Sequence, residues 1–95
     1  MDTTTDLFTP LQTTEFKFPN RIAMAALTRM RCEYNGKHTP NDMHVTYYSE
    51  RARKCAFVLT ECTAVSLQGQ AYPASPGIWS EEQVEGWKKV TDEVH

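Results

Sequence analysis

Two apolar runs in this 95-residue chain each end in residues that could do chemistry. The first run, residues 22–27, is followed by Thr28, Arg29 and Arg31, and the second, residues 56–59, is followed by a Thr-Glu-Cys triplet. A threonine hydroxyl can hydrogen-bond a ligand, an arginine can bind phosphate, and a glutamate can act as a general base. If the two runs are neighbouring parallel strands, these side chains lie at one edge of a sheet.

The histidines, the cysteines and the glutamate of that triplet favour structural roles. His38 and His44 are predicted to lie at the surface, and no histidine pair has metal-ligand spacing with a nearby carboxylate, so no metal site is expected. Three cysteines without a C-x-x-C pair indicate neither a disulfide framework nor a zinc site, and they favour a reducing, cytoplasmic compartment. For Glu61 we expect a structural hydrogen bond at the end of the second strand.

Composition narrows the class of protein. The chain has 12 acidic and 10 basic residues and a net charge of −2, which argues against a nucleic-acid surface. No apolar run approaches the roughly 20 residues of a membrane span. The polar, acidic start of the chain predicts no signal peptide. The length suits one small domain.

Each apolar run predicts a strand buried on both faces, because apolar residues occupy successive positions. Before the first run, "TTEFKFPNR" alternates aromatic and polar residues and then turns, which predicts a short strand or half of a hairpin. Between the runs we expect a helix with Thr39 as N-cap and Pro40 in the first turn. Its expected buried stripe comprises Met43, Tyr47, Tyr48 and Ala52.

A second helix is expected after the long loop at residues 62–79. It begins at Ser80, where "SEEQ" has the pattern of a capping box between Ser80 and Gln83. The buried stripe of this helix is predicted to contain Val84, Trp87, Val90 and Val94, and Trp79 and Trp87 are expected core residues.

The order strand, helix, strand, helix predicts a parallel pair with a right-handed crossover. Such a unit builds either a (β/α)₈ barrel or a doubly wound sheet, and the absence of G-x-G-x-x-G disfavours a dinucleotide-binding unit. Two strands cannot close a barrel, which needs about 250 residues. The pattern therefore predicts the first part of a larger enzyme, one piece of a split enzyme or a truncated product.

Several longer motifs resemble the Old Yellow Enzyme family of FMN-dependent NAD(P)H oxidoreductases. They are "LFTPLQ", "PNRIAMAALTRMR", "YYSERA", "LTE" and "PGIWSEEQVEGWKKVTDEVH", and together they cover residues 7–95. The resemblance implies the N-terminal portion of an α/β (β/α)₈ barrel, with a hairpin and then β-α-β-α, so that residues 1–95 are one segment of a single FMN-binding domain. It also implies noncovalent FMN, NAD(P)H as reductant, and reduction of the activated C=C bond of an enone or enal. The hairpin is expected to cover the N-terminal end of the barrel.

The resemblance further implies which residues face the flavin. In this family the backbone after the first strand lies against the ring, so the implied contacts are Ala25, Ala26, Leu27 and Thr28, joined by Cys62 after the second strand. Small alanines allow the ring to approach the backbone, and the Thr28 hydroxyl bonds the ring near its C4 oxygen and tunes its potential. The family often has proline at position 26 and glycine or alanine at position 62, where the larger Cys62 side chain would crowd the ring.

The resemblance implies no catalytic residue within this chain. The family's substrate-binding histidine pair, proton-donating tyrosine, flavin-side glutamine and phosphate-binding arginines all come later than His95. Tyr72, in the long loop, is a candidate for the substrate side, and the alternative is that it only packs within the loop.

Two functions stay open: the N-terminal part of an ene-reductase, expected to be inactive alone, and a non-catalytic remnant or split-barrel piece that folds only with a complementary chain. A doubly wound nucleotide-binding module is the third reading.

Overall fold

A short hairpin, a parallel strand pair and two helices make up the fold. The computed structural model describes residues 5–95, so the first four residues of the polar start lie outside the described part. The elements are β1 (Leu11–Gln12), β2 (Lys17–Phe18), β3 (Ala23–Met24), α1 (Asp42–Ala52), β4 (Phe57–Val58) and α2 (Glu81–Val94). The expected β-α-β-α order, preceded by a hairpin, is present.

The hairpin formed by β1 and β2 is antiparallel and packs beside the start of β4. Leu11 pairs with Phe18, and the Phe18 ring lies 5.5 Å from the Phe57 ring between centroids. The Asn20 side chain donates a 2.7 Å hydrogen bond to the Lys54 carbonyl, just before β4. The hairpin therefore contacts the amino end of the parallel pair, which is the end that the family resemblance implied.

Strands β3 and β4 are parallel, as predicted, but each is only two residues long. Ala23 pairs with Phe57 and Met24 with Val58, and the Leu59 N–H donates to the Met24 carbonyl at 3.0 Å. The longer strands predicted at residues 22–27 and 56–59 are not formed in full. A ladder needs a partner strand along its whole length, and the residues that follow Met24 pair with no strand of the described chain.

Helix α1 begins two residues later than the sequence predicted. Its N-cap is Asn41, whose side chain accepts a 2.9 Å hydrogen bond from the Met43 N–H. His44 completes a capping box, because its Nδ1 accepts from the Asn41 N–H at 3.1 Å. Asn41 therefore takes the N-cap position that was predicted for Thr39, because the chain turns into the helix two residues later. Pro40 lies before the helix, where its missing N–H costs nothing.

Helix α2 confirms the predicted capping box. The Gln83 N–H donates to Ser80 Oγ at 3.2 Å, and Gln83 Oε1 accepts from the Ser80 N–H at 3.1 Å. The buried Gln83 side chain also donates to the Lys37 carbonyl at 2.8 Å. One side chain thus caps the helix and fixes the loop that precedes α1.

The core lies between the two helices and one face of the strand pair. It contains Tyr48, Trp87 and Val90, with the half-buried Met24, Val45, Tyr47, Val58 and Val94 packed around them. Helix α2 closely approaches the loop that precedes α1: a Cβ added at Gly86 would lie 2.7 Å from the Pro40 carbonyl oxygen. The stripe predictions were wrong for Met43 and Val84, which are 55% and 49% exposed. Trp79 is half-buried, so only Trp87 is a core tryptophan.

The other face of the strand pair is exposed. Met24 and Val58 point toward the helices, whereas their neighbours Ala23 and Phe57 are exposed, Phe57 at 45%. Side chains alternate between faces along a strand, so this exposed surface is the face opposite the helices. The prediction of strands buried on both faces is therefore wrong for the described chain, in which only the helical side is covered.

Candidate functional site

The candidate site lies where β3 and β4 end. Met24 pairs with Val58, and Thr28 and Cys62 each lie four residues beyond that pair. The two segments that carry the predicted flavin contacts therefore leave neighbouring parallel strands in the same direction. In parallel α/β enzymes the carboxyl ends of the strands are where ligands bind.

The segment at residues 25–28 is exposed and has backbone donors without partners in the described chain. Its four residues are all exposed, and the Leu27 side chain is 52% exposed. Within residues 5–95, no hydrogen bond is made by the N–H groups of Leu27 and Thr28 or by the Thr28 hydroxyl. A run with two adjacent alanines and free donors fits a flat aromatic ring, because small side chains let such a ring reach the main chain.

The chain that follows Thr28 is held by helix α1. The Arg29 guanidinium lies 3.9 Å from the Tyr47 ring centroid, and Asn41 Nδ2 donates to the Arg31 carbonyl at 2.9 Å. Between the arginines, Met30 has φ of 55°, an uncommon left-handed conformation for a residue with a Cβ. These contacts fix where the strand-end segment finishes.

Behind the second strand end, Glu61 is held by the hydroxyl of Tyr48. The Tyr48 hydroxyl donates to Glu61 Oε2 at 2.7 Å and accepts from the Glu61 N–H at 2.8 Å. Both residues are buried, at 2% and 3% exposure. The structural hydrogen bond expected for Glu61 is confirmed, although no pattern in the sequence indicated Tyr48 as its partner.

His44 and Cys32 extend this buried cluster. His44 Nε2 lies 3.9 Å from Glu61 Oε2 and 3.7 Å from Cys32 Sγ. Burial lowers the pKa of His44, and nearby Arg29 lowers it further against the opposing effect of Glu61. Burial and Glu61 together raise the pKa of Cys32 to about 12. Burial, followed by the hydrogen bond to Glu61, also raises the pKa of Tyr48, so the hydroxyl stays protonated and can donate.

One polar atom of the cluster has no hydrogen-bond partner among the described residues. Glu61 Oε1 is buried and unpaired, while Oε2 accepts from Tyr48. A cavity of about 10 Å³ borders Glu61, His44 and Arg29. That volume is close to the smallest that holds a single water molecule.

The prediction of surface histidines was wrong for both His38 and His44. His38 is 7% exposed, with its Nδ1 2.9 Å from the Ser75 carbonyl, and His44 is 2% exposed. The signal for His44 was available in the sequence, because it stands three residues after an asparagine that can cap a helix. No comparable pattern marks His38.

The loop after β4 carries Tyr72 at its surface. Tyr72 is 45% exposed, and its carbonyl accepts a 2.8 Å hydrogen bond from Gln70 Nε2. The end of the loop is fixed more firmly, because the Gly77 carbonyl accepts from Trp87 Nε1 at 3.0 Å. The exposed ring leaves the substrate-side role of Tyr72 a prediction.

Other kinds of site find no support in residues 5–95. No group of three or more histidine, cysteine, aspartate or glutamate side chains there could hold a metal ion. None of the helices formed by these residues has the length and apolar character needed to cross a membrane.

The fold is a parallel α/β unit with exposed backbone donors at the ends of two adjacent strands. Residues 6–95 match the family described as NADH:flavin oxidoreductase / NADH oxidase, and the chain belongs to that family. This family of FMN flavoproteins includes the old yellow enzymes, and NAD(P)H is the family's reductant. The resemblance seen in the sequence is thereby confirmed.

Similar proteins extend well beyond the length of this chain. It is 45% identical over 91 residues to the flavin oxidoreductase hxnT of Emericella nidulans, covering 94% of this chain and 24% of that protein. The solved old yellow enzyme homologue of Zymomonas mobilis matches with a TM-score of 0.86 and 40% identity, over 96% of this chain and 25% of that one. Morphinone reductase in complex with tetrahydroNAD matches with a TM-score of 0.84 and 39% identity, over 94% and 23%. The chain therefore spans about a quarter of these relatives, and the structural neighbours are TIM-barrel enzymes.

Proposed function

We propose that this chain is the N-terminal segment of a single FMN-binding (β/α)₈ barrel, an NAD(P)H oxidoreductase that reduces the activated C=C bond of an enone or enal. The observation that carries the proposal is the exposed segment at residues 25–28, which leaves β3 beside the end of β4 with its donors free. Membership of the flavin oxidoreductase family supports flavin as the ligand of this edge. The three free cysteines support a reducing, cytoplasmic location.

Each residue of the edge has a separate task in this proposal. Ala25 and Ala26 keep the surface low, so that the flavin ring can lie close to the main chain. Leu27 contributes a backbone donor and an apolar contact. The Thr28 hydroxyl donates a hydrogen bond that stabilises negative charge on the ring. Cys62, which follows β4, adds a backbone contact from the second strand end to the same ring.

Flavin, when bound, would supply the hydride-transfer chemistry, with NAD(P)H as the source of the hydride. The described chain holds and tunes the ring from one side and contributes no acid, base or substrate-binding pair. The remaining strands of the barrel would cover the exposed face that carries Ala23 and Phe57. We therefore propose that the isolated chain is inactive and that its partner is the rest of the barrel.

A chimera tests the proposal. Residues 6–95 of this chain would replace the matching quarter of the Zymomonas mobilis homologue, and this protein is called the barrel chimera below. We expect the purified barrel chimera to bind FMN stoichiometrically and to oxidise NAD(P)H in the presence of cyclohexenone. The isolated chain should not quench FMN fluorescence at sub-micromolar concentration. A folded barrel chimera without flavin would overturn the proposal.

A pair of alanine substitutions tests the position of the ring. Ala26→Phe in the barrel chimera adds bulk at the proposed flavin surface and should abolish stoichiometric FMN binding. Ala71→Phe is the matched control, because Ala71 is also exposed but lies in the loop outside the proposed contacts. Equal FMN affinity in the two variants would remove Ala26 from the flavin surface.

A further inference from the structure

We propose that Tyr48 and Glu61 form a positioning pair that sets how Cys62 presents its backbone to the flavin. The inference rests on the proposed function, since it concerns the same cofactor edge. The proposal gives Tyr48 of helix α1 a role at the proposed flavin-binding edge, which is otherwise formed by the ends of two strands. Neither residue touches the proposed flavin surface directly, because both side chains are buried behind it.

The geometry of the pair is the main argument. A single hydroxyl accepts from the Glu61 N–H at 2.8 Å and donates to Glu61 Oε2 at 2.7 Å. It therefore fixes the main chain and the side chain of one residue together. The two bonds hold the amide and the side chain of Glu61, and so its Cα, to which the peptide group of Cys62 is attached. The carbonyl of that peptide group in turn accepts a 2.8 Å hydrogen bond from the Thr63 hydroxyl. Tyr48 in turn lies in the core against Trp87, with ring centroids 6.1 Å apart, and this contact holds the hydroxyl in place.

The burial of Glu61 indicates that its carboxylate has a role beyond filling space. A carboxyl group buried to 3% exposure is costly unless it is hydrogen-bonded, and here one oxygen has no hydrogen-bond partner among the described residues. An apolar side chain at position 61 would avoid that cost and would still fill the space. An apolar side chain could not accept the hydrogen bond from the Tyr48 hydroxyl. That bond orients the hydroxyl, which in turn accepts from the Glu61 N–H. The pair therefore fixes backbone direction at a point where the next residue is an exposed strand end.

Loss of the hydroxyl should be felt at the flavin. In Tyr48→Phe the Glu61 N–H and Oε2 both lose their partner, so the backbone at residues 61–62 can rotate. We expect the FMN dissociation constant of the barrel chimera to rise about tenfold, which corresponds to the misplacement of one good hydrogen bond. The long-wavelength absorption band of the bound flavin should shift as well, because the contact with the ring changes.

The matched control is the neighbouring tyrosine. The Tyr47 ring is stacked between the guanidinium groups of Arg29 and Arg51, each 3.9 Å from its centroid, and its hydroxyl makes no hydrogen bond to residues 5–95. Tyr47→Phe removes an equal group from the same helix and should leave FMN affinity and spectrum unchanged. Thermal unfolding of both variants, measured in parallel, separates loss of stability from loss of positioning.

Substitutions of the acid complete the experiment. Glu61→Gln keeps an oxygen that can accept from Tyr48 and should retain near-native FMN affinity. Glu61→Ala keeps only the backbone N–H bond to Tyr48 and should weaken FMN binding, but by less than Tyr48→Phe. The double variant with both Tyr48→Phe and Glu61→Ala should bind FMN no more weakly than Tyr48→Phe alone, because the two residues act as one unit.

The outcomes separate the two proposals. If the unsubstituted barrel chimera binds no FMN, the proposed function fails and the positioning role fails with it. If it binds FMN, but Tyr48→Phe and Tyr47→Phe share the same affinity and spectrum, only the positioning role is overturned. A Tyr48→Phe variant that merely melts earlier, with its flavin spectrum unchanged, also refutes the pair as a positioning device.

Discussion

Isolation of this chain from the rest of a barrel should prevent cooperative folding. The accessible surface is 6956 Å², about 1,400 Å² more than the area of about 5,600 Å² that surface scaling gives for a compact monomer of this mass. The radius of gyration is 15.7 Å, against about 12 Å for a compact domain of this length. The excess area is larger than the roughly 800 Å² that each partner buries in a standard interface. The surface left open is therefore large enough for an obligate contact.

Far-UV circular dichroism of the isolated chain at micromolar concentration measures this directly. We expect partial helix signal, which comes mainly from α2 because it is the longer of the two capped helices, with 14 residues against 11 in α1. The thermal change should be broad, without a two-state transition. The exposed apolar face should also cause concentration-dependent aggregation. When the remaining three quarters of the Zymomonas mobilis homologue is added in trans, soluble complex and a cooperative melt should appear.

The barrel chimera is the positive control, since it contains the same residues with the open face covered. A sharp two-state melt of the isolated, soluble monomer would refute the reasoning. It would mean that the helices and two strand ends suffice as a domain, and that the open face needs no barrel.

Further predictions concern single residues in the barrel chimera. Thr28→Ala should leave FMN bound but lower the flavin potential by on the order of tens of millivolts, the equivalent of one hydrogen bond to a charged group, and an unchanged potential would remove Thr28 from the tuning role. Gly86→Ala gains about 1 kcal/mol of helix propensity but incurs about 1–3 kcal/mol of overpacking against a loop carbonyl, so urea unfolding should show net destabilisation of up to about 2 kcal/mol. Gly69→Ala has room for its Cβ and should unfold like the parent, so equal midpoints for the two variants would contradict the close approach. Iodoacetamide at pH 8 should spare Cys32, whose pKa of about 12 keeps the thiol protonated and whose side chain is buried. Cys62 should be labelled without FMN and protected with it, and equal labelling in both states would place Cys62 away from the ring.

The sequence predicted those parts of the fold whose cause is local. The capping box of α2 was visible because both of its residues stand in a four-residue pattern beside Ser80. The parallel pair followed from two short apolar runs separated by a helical segment. The motifs around Thr28 indicated the family, and the match over residues 6–95 confirmed it. The flavin contacts themselves stay predictions.

What the sequence did not predict depends on contacts between distant segments. Thr39 and Asn41 are both good N-cap residues, and the choice depends on where the chain turns into α1. His38 is buried because its ring contacts the Ser75 carbonyl in the long loop at residues 62–79, far along the chain. The link between Tyr48 and Glu61 likewise joins a helix to a strand end, and no spacing rule connects the two residues. Secondary-structure propensities describe single residues and their near neighbours, so they do not predict such pairs.

The hairpin at the amino end of the parallel pair has a consequence for protein engineering. Its turn, between Gln12 and Lys17, belongs to the hairpin that contacts the amino end of the pair through Phe18 and Phe57, whereas residues 25–28 and 62 follow the carboxyl ends of the strands. Short hydrogen bonds from Thr13 and Phe16 close the turn, and the side chains there are exposed. An affinity peptide or a fluorescent reporter inserted at this turn should project away from the proposed cofactor edge. The same turn offers an attachment point for immobilising the barrel chimera with that proposed edge facing solvent.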